Sequence, residues 1–307
     1  MNSSRPPETV RAYLAQLRAA LKGAPAGLIS DALADCEEHL NSEIAQNPGA
    51  DEETILASVV ETYGTPEEIA EEYRDMEAAI STPFPKPEQS DTRRFGFFNV
   101  VSDPRTYGAL LYMLLSLVTG IFYFTWTITG LSMTIGFAIL IIGVPFALLF
   151  IASIRVLSHV EGRIVEALLG VRMPRRLPAA YVESDPPRSW WSRLWARIGD
   201  ALSDIRTWSS MLYLLLMLPL GIIYFVLAVT GLSVSLGITG SAIWSLLTNH
   251  VNFRADSAPV LDHFLHTAPG LVVAAIVGLL LFFVFLHLAR GVGWLHGKIA
   301  EGLLVRL

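Results

Sequence analysis

Cysteine, charge and catalytic signatures are all scarce in these 307 residues. Cys36 is the single cysteine, which excludes an intramolecular disulfide. Its place among helix-forming residues suits a small half-buried side chain better than a reactive thiol. Charged residues make up 16% of the chain against 52% hydrophobic, and the mean hydropathy is +0.48. Soluble domains carry about 25% charged residues, so the deficit points to a membrane. Glycine-rich nucleotide loops, nucleophile elbows, His-Glu-x-x-His zinc motifs and EF-hand loops do not occur. Without a catalytic constellation, the expectation is no enzyme and no cofactor.

What is present is a sequence written twice. Residues 103–136 and 204–237 align without a gap at an offset of 101, with 17 of 34 positions identical. Asp103, Arg105, Tyr112, Gly120 and Tyr123 recur as Asp204, Arg206, Tyr213, Gly221 and Tyr224. Apolar spans are expected at about 108–129, 133–156, 209–230 and 269–290, each close to the ~20 residues that cross a bilayer. The first hairpin is expected to turn at Gly130–Gly136. The second carries an insert there, since the offset grows to 135 by its returning strand of sequence. At that offset Arg155, Gly162, Arg163 and Glu166 match Arg290, Gly297, Lys298 and Glu301.

Charge sets the orientation. The stretch 159–207 holds eight arginines, including Arg163, Arg172 and Arg206, whereas the two opposite loops hold one, Arg254. The positive-inside rule then places both termini and the central loop in the cytoplasm. Each repeat crosses twice, so both copies keep one orientation and are related by a pseudo-twofold along the membrane normal. Trp190, Trp191 and Trp195 share a helical face ahead of the third span and, with Trp208, are expected to anchor at headgroup level. Arg93, Arg94, Phe95, Phe97 and Phe98 suggest a second surface-lying segment before the first span.

The amino-terminal segment is of another kind. Residues 1–90 hold six Lys/Arg against 17 Asp/Glu, a net of −11, while residues 91–307 net +5. A polar start, from which no signal peptide is expected, leads into four helix patterns between residues 7 and 80. Leu14, Leu17 and Leu21 stripe the first, Leu28, Leu33, Cys36 and Leu40 the second, and Ile55, Leu56, Val59 and Val60 the third. Thr65-Pro-Glu-Glu68 is a capping box that starts the fourth, with Ile69, Ala70, Tyr73 and Met76 as its packing stripe. The expected organisation is an acidic helical head over 1–80 and a proline-rich linker over 81–100. A first hairpin with its interfacial tail follows over 101–176, a loop with the tryptophan-rich helix over 177–203, and a second hairpin over 204–307.

Two family resemblances follow from these residues. The run Tyr13 to Leu21, Asp35-x-Glu-Glu-His39 and Tyr63-Gly-Thr-Pro-Glu-Glu-Ile-Ala-Glu-Glu-Tyr73 resemble the HAAS domain. That family is a small helical cytoplasmic module linked to PadR-type regulators, so the resemblance implies protein–protein signalling. Asp-Pro-Arg-Thr with Leu-Leu-Tyr, Leu218-Pro-Leu-Gly-Ile-Ile-Tyr-Phe225, Thr-Gly-Leu-Ser, and Arg163 to Arg172 resemble the bacterial "putative sensor" membrane domain. That domain often precedes histidine-kinase modules, but no kinase core follows within this chain.

Candidate sites are sparse. His250, Asp262, His263 and His266 in the outer insert are weak metal-ligand candidates, set against an ordinary wet loop. Asp103/Arg105 and Asp204/Arg206 cap the hairpin entrances, where a carboxylate complements the helix dipole. A sharper alternative pairs those arginines with Glu166 and Glu301 as a gating contact. Tyr123 and Tyr224, with Tyr112 and Tyr213, are candidates for an interface between hairpins. His287 lies inside the fourth span. The expected protein is all-α: a bacterial inner-membrane sensor that senses through its bundle or outer insert. It would be homo-oligomeric, in contact with lipid, engage a cytoplasmic regulator through residues 1–80, and not bind nucleic acid directly. A transporter or channel subunit, or a membrane scaffold, is the alternative. The near lack of polar residues on facing spans argues against a transport path.

Overall fold

A computed structural model describes residues 7, 9–47, 49, 51–79, 97–137, 143–174, 204–248 and 259–305. Trp190, Trp191, Trp195, His250 and the linker before residue 97 therefore lie outside the described residues. Among those described, the secondary structure is entirely helical. The elements are α1 (Val10–Ala20), α2 (Ala26–Gln46), α3 (Glu52–Tyr63), α4 (Pro66–Ala79), a 3-10 turn (Phe97–Ser102), α5 (Pro104–Phe137), α6 (Gly143–Leu169), α7 (Ile205–Thr248), α8 (Pro259–Leu265) and α9 (Ala268–Leu304). The chain divides into two compact units. One comprises Met1–Pro85, Gly130–Met211 and Ile299–Leu307, the other Lys86–Thr129 and Leu212–Lys298.

In the first unit, α1–α4 close around Tyr13, Leu17, Leu21, Ala32, Cys36, Leu40, Ile55, Leu56, Val59, Ile69 and Ala70. These are the apolar stripes of the four helical patterns, and each buried Leu or Ile contributes about 1.5–3 kcal/mol relative to an exposed one. Thr9 caps α1 by accepting from the Ala12 amide. The capping box of α4 forms in full: the Thr65 amide donates to Glu68 at 2.9 Å and the Glu68 amide donates to Thr65 Oγ1 at 3.3 Å. Those bonds hold the Glu68 carboxyl below its ordinary pKa. The phenols of buried Tyr13 and half-buried Tyr73 are satisfied, Tyr13 donating to the Gly64 carbonyl at 3.0 Å and Tyr73 to Asp35 at 2.7 Å. Burial pushes the Cys36 thiol up to about 11, so it stays protonated and inert.

α5, α7 and α9 are long and apolar enough to cross a membrane. α6 occupies the place expected for the second span. The turn expected at Gly130–Gly136 is not a turn: α5 continues through it to Phe137. The segment lacks proline, the Thr134 hydroxyl satisfies the Gly130 carbonyl at 2.7 Å, and the Phe150 ring of α6 lies where a Gly130 side chain would be. α7 likewise runs on past Gly237, with Ser235 bonded to the Gly231 carbonyl at 2.6 Å. Side-chain hydroxyls and glycines that read as turn chemistry in water are accommodated within these helices.

In the second unit α5 and α7 cross at backbone contact. A Cβ built on Gly120 would stand 2.4 Å from the Met217 carbonyl oxygen, and one on Gly221 would stand 2.3 Å from that of Ser116. Position 217 is 116 plus 101, so the two contacts exchange equivalent residues. Gly231 meets the Phe285 ring as Gly130 meets Phe150, and 285 is 150 plus 135. Met113, Tyr224, Ala228, Phe285 and Ala289 form the buried cluster beside this crossing. Leu111, Val118, Ile121, Phe122, Ile222, Ile223 and Val226 stay exposed on the outer faces, as expected for surfaces whose solvent is lipid.

Candidate functional site

α6 ends at Leu169 because Gly170 takes a left-handed φ of 70°, and Val171–Pro174 continue without helical bonding. This short strap carries Arg172 and Met173 onto the head. The Arg172 side chain is 8% exposed and uses all three nitrogens. Nε donates to both Glu77 oxygens of α4, at 3.0 and 3.1 Å. Nη2 donates to Asp31 of α2 at 2.9 Å, and Nη1 donates to the Met173 carbonyl. Glu166, back on α6, lies 3.9 Å from Nη1 and also pairs with Arg163 at 2.5 Å. Only a planar, always-charged fork can serve these partners together; a lysine could reach one of them. Breaking such a buried pair by removing one partner costs about 3–5 kcal/mol.

The backbone beneath the fork is equally close. A Cβ on Gly27, in the first turn of α2, would sit 2.7 Å from the Met173 carbonyl carbon and 2.8 Å from the Arg172 oxygen. Met173 itself is 1% exposed. The head is thus held to the end of α6 through one guanidinium and one glycine notch.

The hairpin entrances show the caps expected of them. The Arg105 amide donates to Asp103 Oδ1 and the Arg206 amide to Asp204 Oδ1, each at 3.0 Å. The other Asp oxygen pairs with an arginine deep in a returning helix. Asp103 meets Arg290 at 3.2 Å, and Asp204 meets Arg155 at 3.2 Å with Thr207 at 3.3 Å from the same arginine. The two ion pairs again swap repeat-equivalent residues, Asp103 with Arg290 and Asp204 with Arg155.

A second polar centre was missed in the sequence. His296 of α9 is fully buried. Its Nε2 lies 2.5 Å from the Tyr112 hydroxyl and 2.9 Å from that of Tyr213, and Nδ1 lies 3.4 Å from that of Tyr224. A neutral imidazole offers one N–H and one lone pair, so two hydroxyls at Nε2 compete for a single role. The available signal was the offset of 135, which pairs residue 296 with Glu161, another ionisable residue that is fully buried. His296 lies six residues beyond the fourth span expected at 269–290, so the expectation that facing spans nearly lack polar residues did not reach this cluster.

The remaining candidates separate. Asp262 and His263 lie on α8, His266 just beyond it, and the His266 ring bonds the Asp262 carbonyl at 2.7 Å. Among the described residues no three His, Cys, Asp or Glu side chains come together as a metal site. His287 is exposed, stacks on Phe97 and contacts its carbonyl at 3.1 Å. Tyr123 is buried and Trp208 half exposed.

A chain whose described residues are all helical or irregular, with a compact head clamped to the end of α6 and three helices apolar enough to cross a membrane, has the make-up of a membrane-attached signalling protein. The comparisons agree: the family described as "Putative sensor" matches residues 77–304, and that described as HAAS matches residues 12–72. The chain belongs to the "Putative sensor" family, with a HAAS domain ahead of the membrane body. Neither a curated protein nor a solved structure matches it.

Proposed function

We propose that the chain is a four-span protein of the bacterial cytoplasmic membrane, with both termini inside, that relays a membrane or extracytoplasmic cue to a cytoplasmic partner of its head. The Arg172 joint carries this reading. Any rotation or sliding of α6 moves Gly170–Met173, and through Arg172 it pulls directly on α2 and α4. The positive-inside pattern supports the orientation. The exchanged contacts at Gly120/Gly221 and at Asp103/Asp204 support two parallel repeats acting as one bundle.

The test is hydrogen exchange of the full-length protein in nanodiscs of two acyl-chain lengths. Exchange at residues 26–31 should change between bilayers in the wild type and become independent of the bilayer in Arg172→Ala. Exchange that ignores the bilayer in the wild type would remove the relay. The transporter reading draws on His296, since an ionisable group inside a bundle is costly and often functional. Proton flux into liposomes that is abolished by His296→Leu would favour it.

A further inference from the structure

Arg172 does more than tie two parts of the chain, because the surface it occupies has the properties of a receptor. Its carboxylates are largely removed from water, with Asp31 at 10% and Glu77 at 17% side-chain exposure. Asp31 and Glu77 take separate nitrogens of one guanidinium, and bare Gly27 leaves a notch into which the backbone of Arg172 and Met173 lies. Such a site recognises a short segment: an arginine side chain together with its backbone on the carboxyl side.

The occupant is also built to leave. It hangs from the helix by Gly170, and two residues, Gly170 and Val171, separate Arg172 from the end of α6 at Leu169. Glu166 stands at 3.9 Å from the same guanidinium, on the side of α6. When the strap withdraws, Arg172 has a carboxylate on its own helix to fall back on, which lowers the cost of opening. The excess of acid over residues 1–90 would meanwhile attract a basic competitor. A tethered occupant acts at an effective concentration of about millimolar, so an external arginine gains access chiefly when the strap has moved.

We propose that the notch formed by Asp31, Glu77 and Gly27 is the docking site for an arginine-bearing segment of a partner protein, and that Arg172–Met173 masks it while the joint is closed. The proposal rests on the relay reading above and specifies what the relay exposes: the head becomes able to bind when α6 draws its own arginine out.

The test uses the full chain in detergent and a fluorescent peptide, Gly-Val-Arg-Met-Pro, which copies residues 170–174. Arg172→Ala should bind it at least tenfold more tightly than the wild type. Asp31→Asn added to that variant should abolish binding, as should alanine for arginine in the peptide. Arg172→Gln is the second unmasked variant, with hydrogen exchange of α1 and α3 as the check on folding. Equal binding by wild type and variants would overturn the proposal, because the site would not be masked. Absence of binding in variants with a protected head would overturn it as well, because the notch would not be a receptor. Loss of head protection in both variants would show the strap to be part of the head's fold, again against the proposal. No bilayer cue enters this experiment, so its failure leaves the relay standing, and failure of the nanodisc test leaves the masking intact.

Discussion

Replacing Gly120 or Gly221 by alanine tests whether α5 and α7 share a single crossing. A methyl at either position meets a carbonyl oxygen at 2.4 or 2.3 Å, where ordinary contact begins at 3.4 Å. The axes must therefore separate by about 1 Å at that point, and a gap of that size forfeits a quarter to a half of each lost van der Waals well. Neither listener at the crossing can yield cheaply, since Ser116 and Met217 are buried and the struck atoms are helix backbone. Overpacking of this kind costs about 1–3 kcal/mol, so each single variant should lose about 2 kcal/mol. The double variant is the informative one. Once the first methyl has parted the helices, the second enters space already opened, and its loss should be about 2–3 kcal/mol instead of about 4. The coupling of about 1–2 kcal/mol lies in the range expected of residues in contact. Reversible unfolding in mixed micelles, followed by far-ultraviolet circular dichroism, would read each single change as roughly a thirtyfold drop in the folding constant. Additive losses, or neutral single variants, would refute a shared crossing.

Two further outcomes follow from the buried polar groups. His296→Leu removes both ring nitrogens and strands hydroxyls that meet them; at about 1–3 kcal/mol for a buried unsatisfied group, it should destabilise the micellar protein more than Tyr224→Phe, which gives up the longest of the three contacts. The same unfolding assay decides, and the reverse order would discard the hydrogen-bonded core. Cys36, with its thiol raised from 9.0 to about 11, should react with iodoacetamide at pH 8 at least roughly a hundredfold more slowly than a peptide thiol. Because the folded value is the higher one, the associated stability is present below the unfolded pKa and fades as pH climbs through about 11. Labelling of the native protein at the peptide rate would contradict the buried site.

The head was readable almost residue by residue because its information is local. Leu17, Leu21, Cys36, Leu40, Leu56 and Ile69 sit in 3.6-residue stripes, and all are buried. The Thr65–Glu68 box needs only a spacing of three. The bundle was readable in outline for the same reason, since long apolar runs announce themselves. Its ends were not. Gly130 and Gly231 look like turn residues, yet each lies under a phenylalanine from a helix about 20 or 54 residues further on. Glycine specifies a close approach as readily as a turn, and only the partner distinguishes them. Arg172 was visible only as one of eight arginines in the stretch 159–207. Counting charges sets orientation, but nothing in the count separates a solvated arginine from one that closes on Asp31, 141 residues away.

The repeat explains which of these partners could have been found. Contacts that exchange equivalent residues obey arithmetic: Asp103 with Arg290 implies Asp204 with Arg155, once the offsets 101 and 135 are known. Gly120 on residue 217 implies Gly221 on residue 116 in the same way. Repetition therefore halves the number of independent long-range facts in the membrane body, and it identifies the exceptions. At the offset of 135, Arg172 matches Leu307, so this arginine has no charged equivalent in the second copy, where Arg306 instead stands one place earlier, opposite Val171. His296 has Glu161 as its sequence counterpart at the offset of 135, a residue of the opposite charge type. Selection for a stable bundle alone would let both copies drift symmetrically around shared contacts. An arginine that pairs with residues outside the aligned copies is instead what the proposed relay requires, and it puts the difference between the copies at the carboxyl-terminal end of α6.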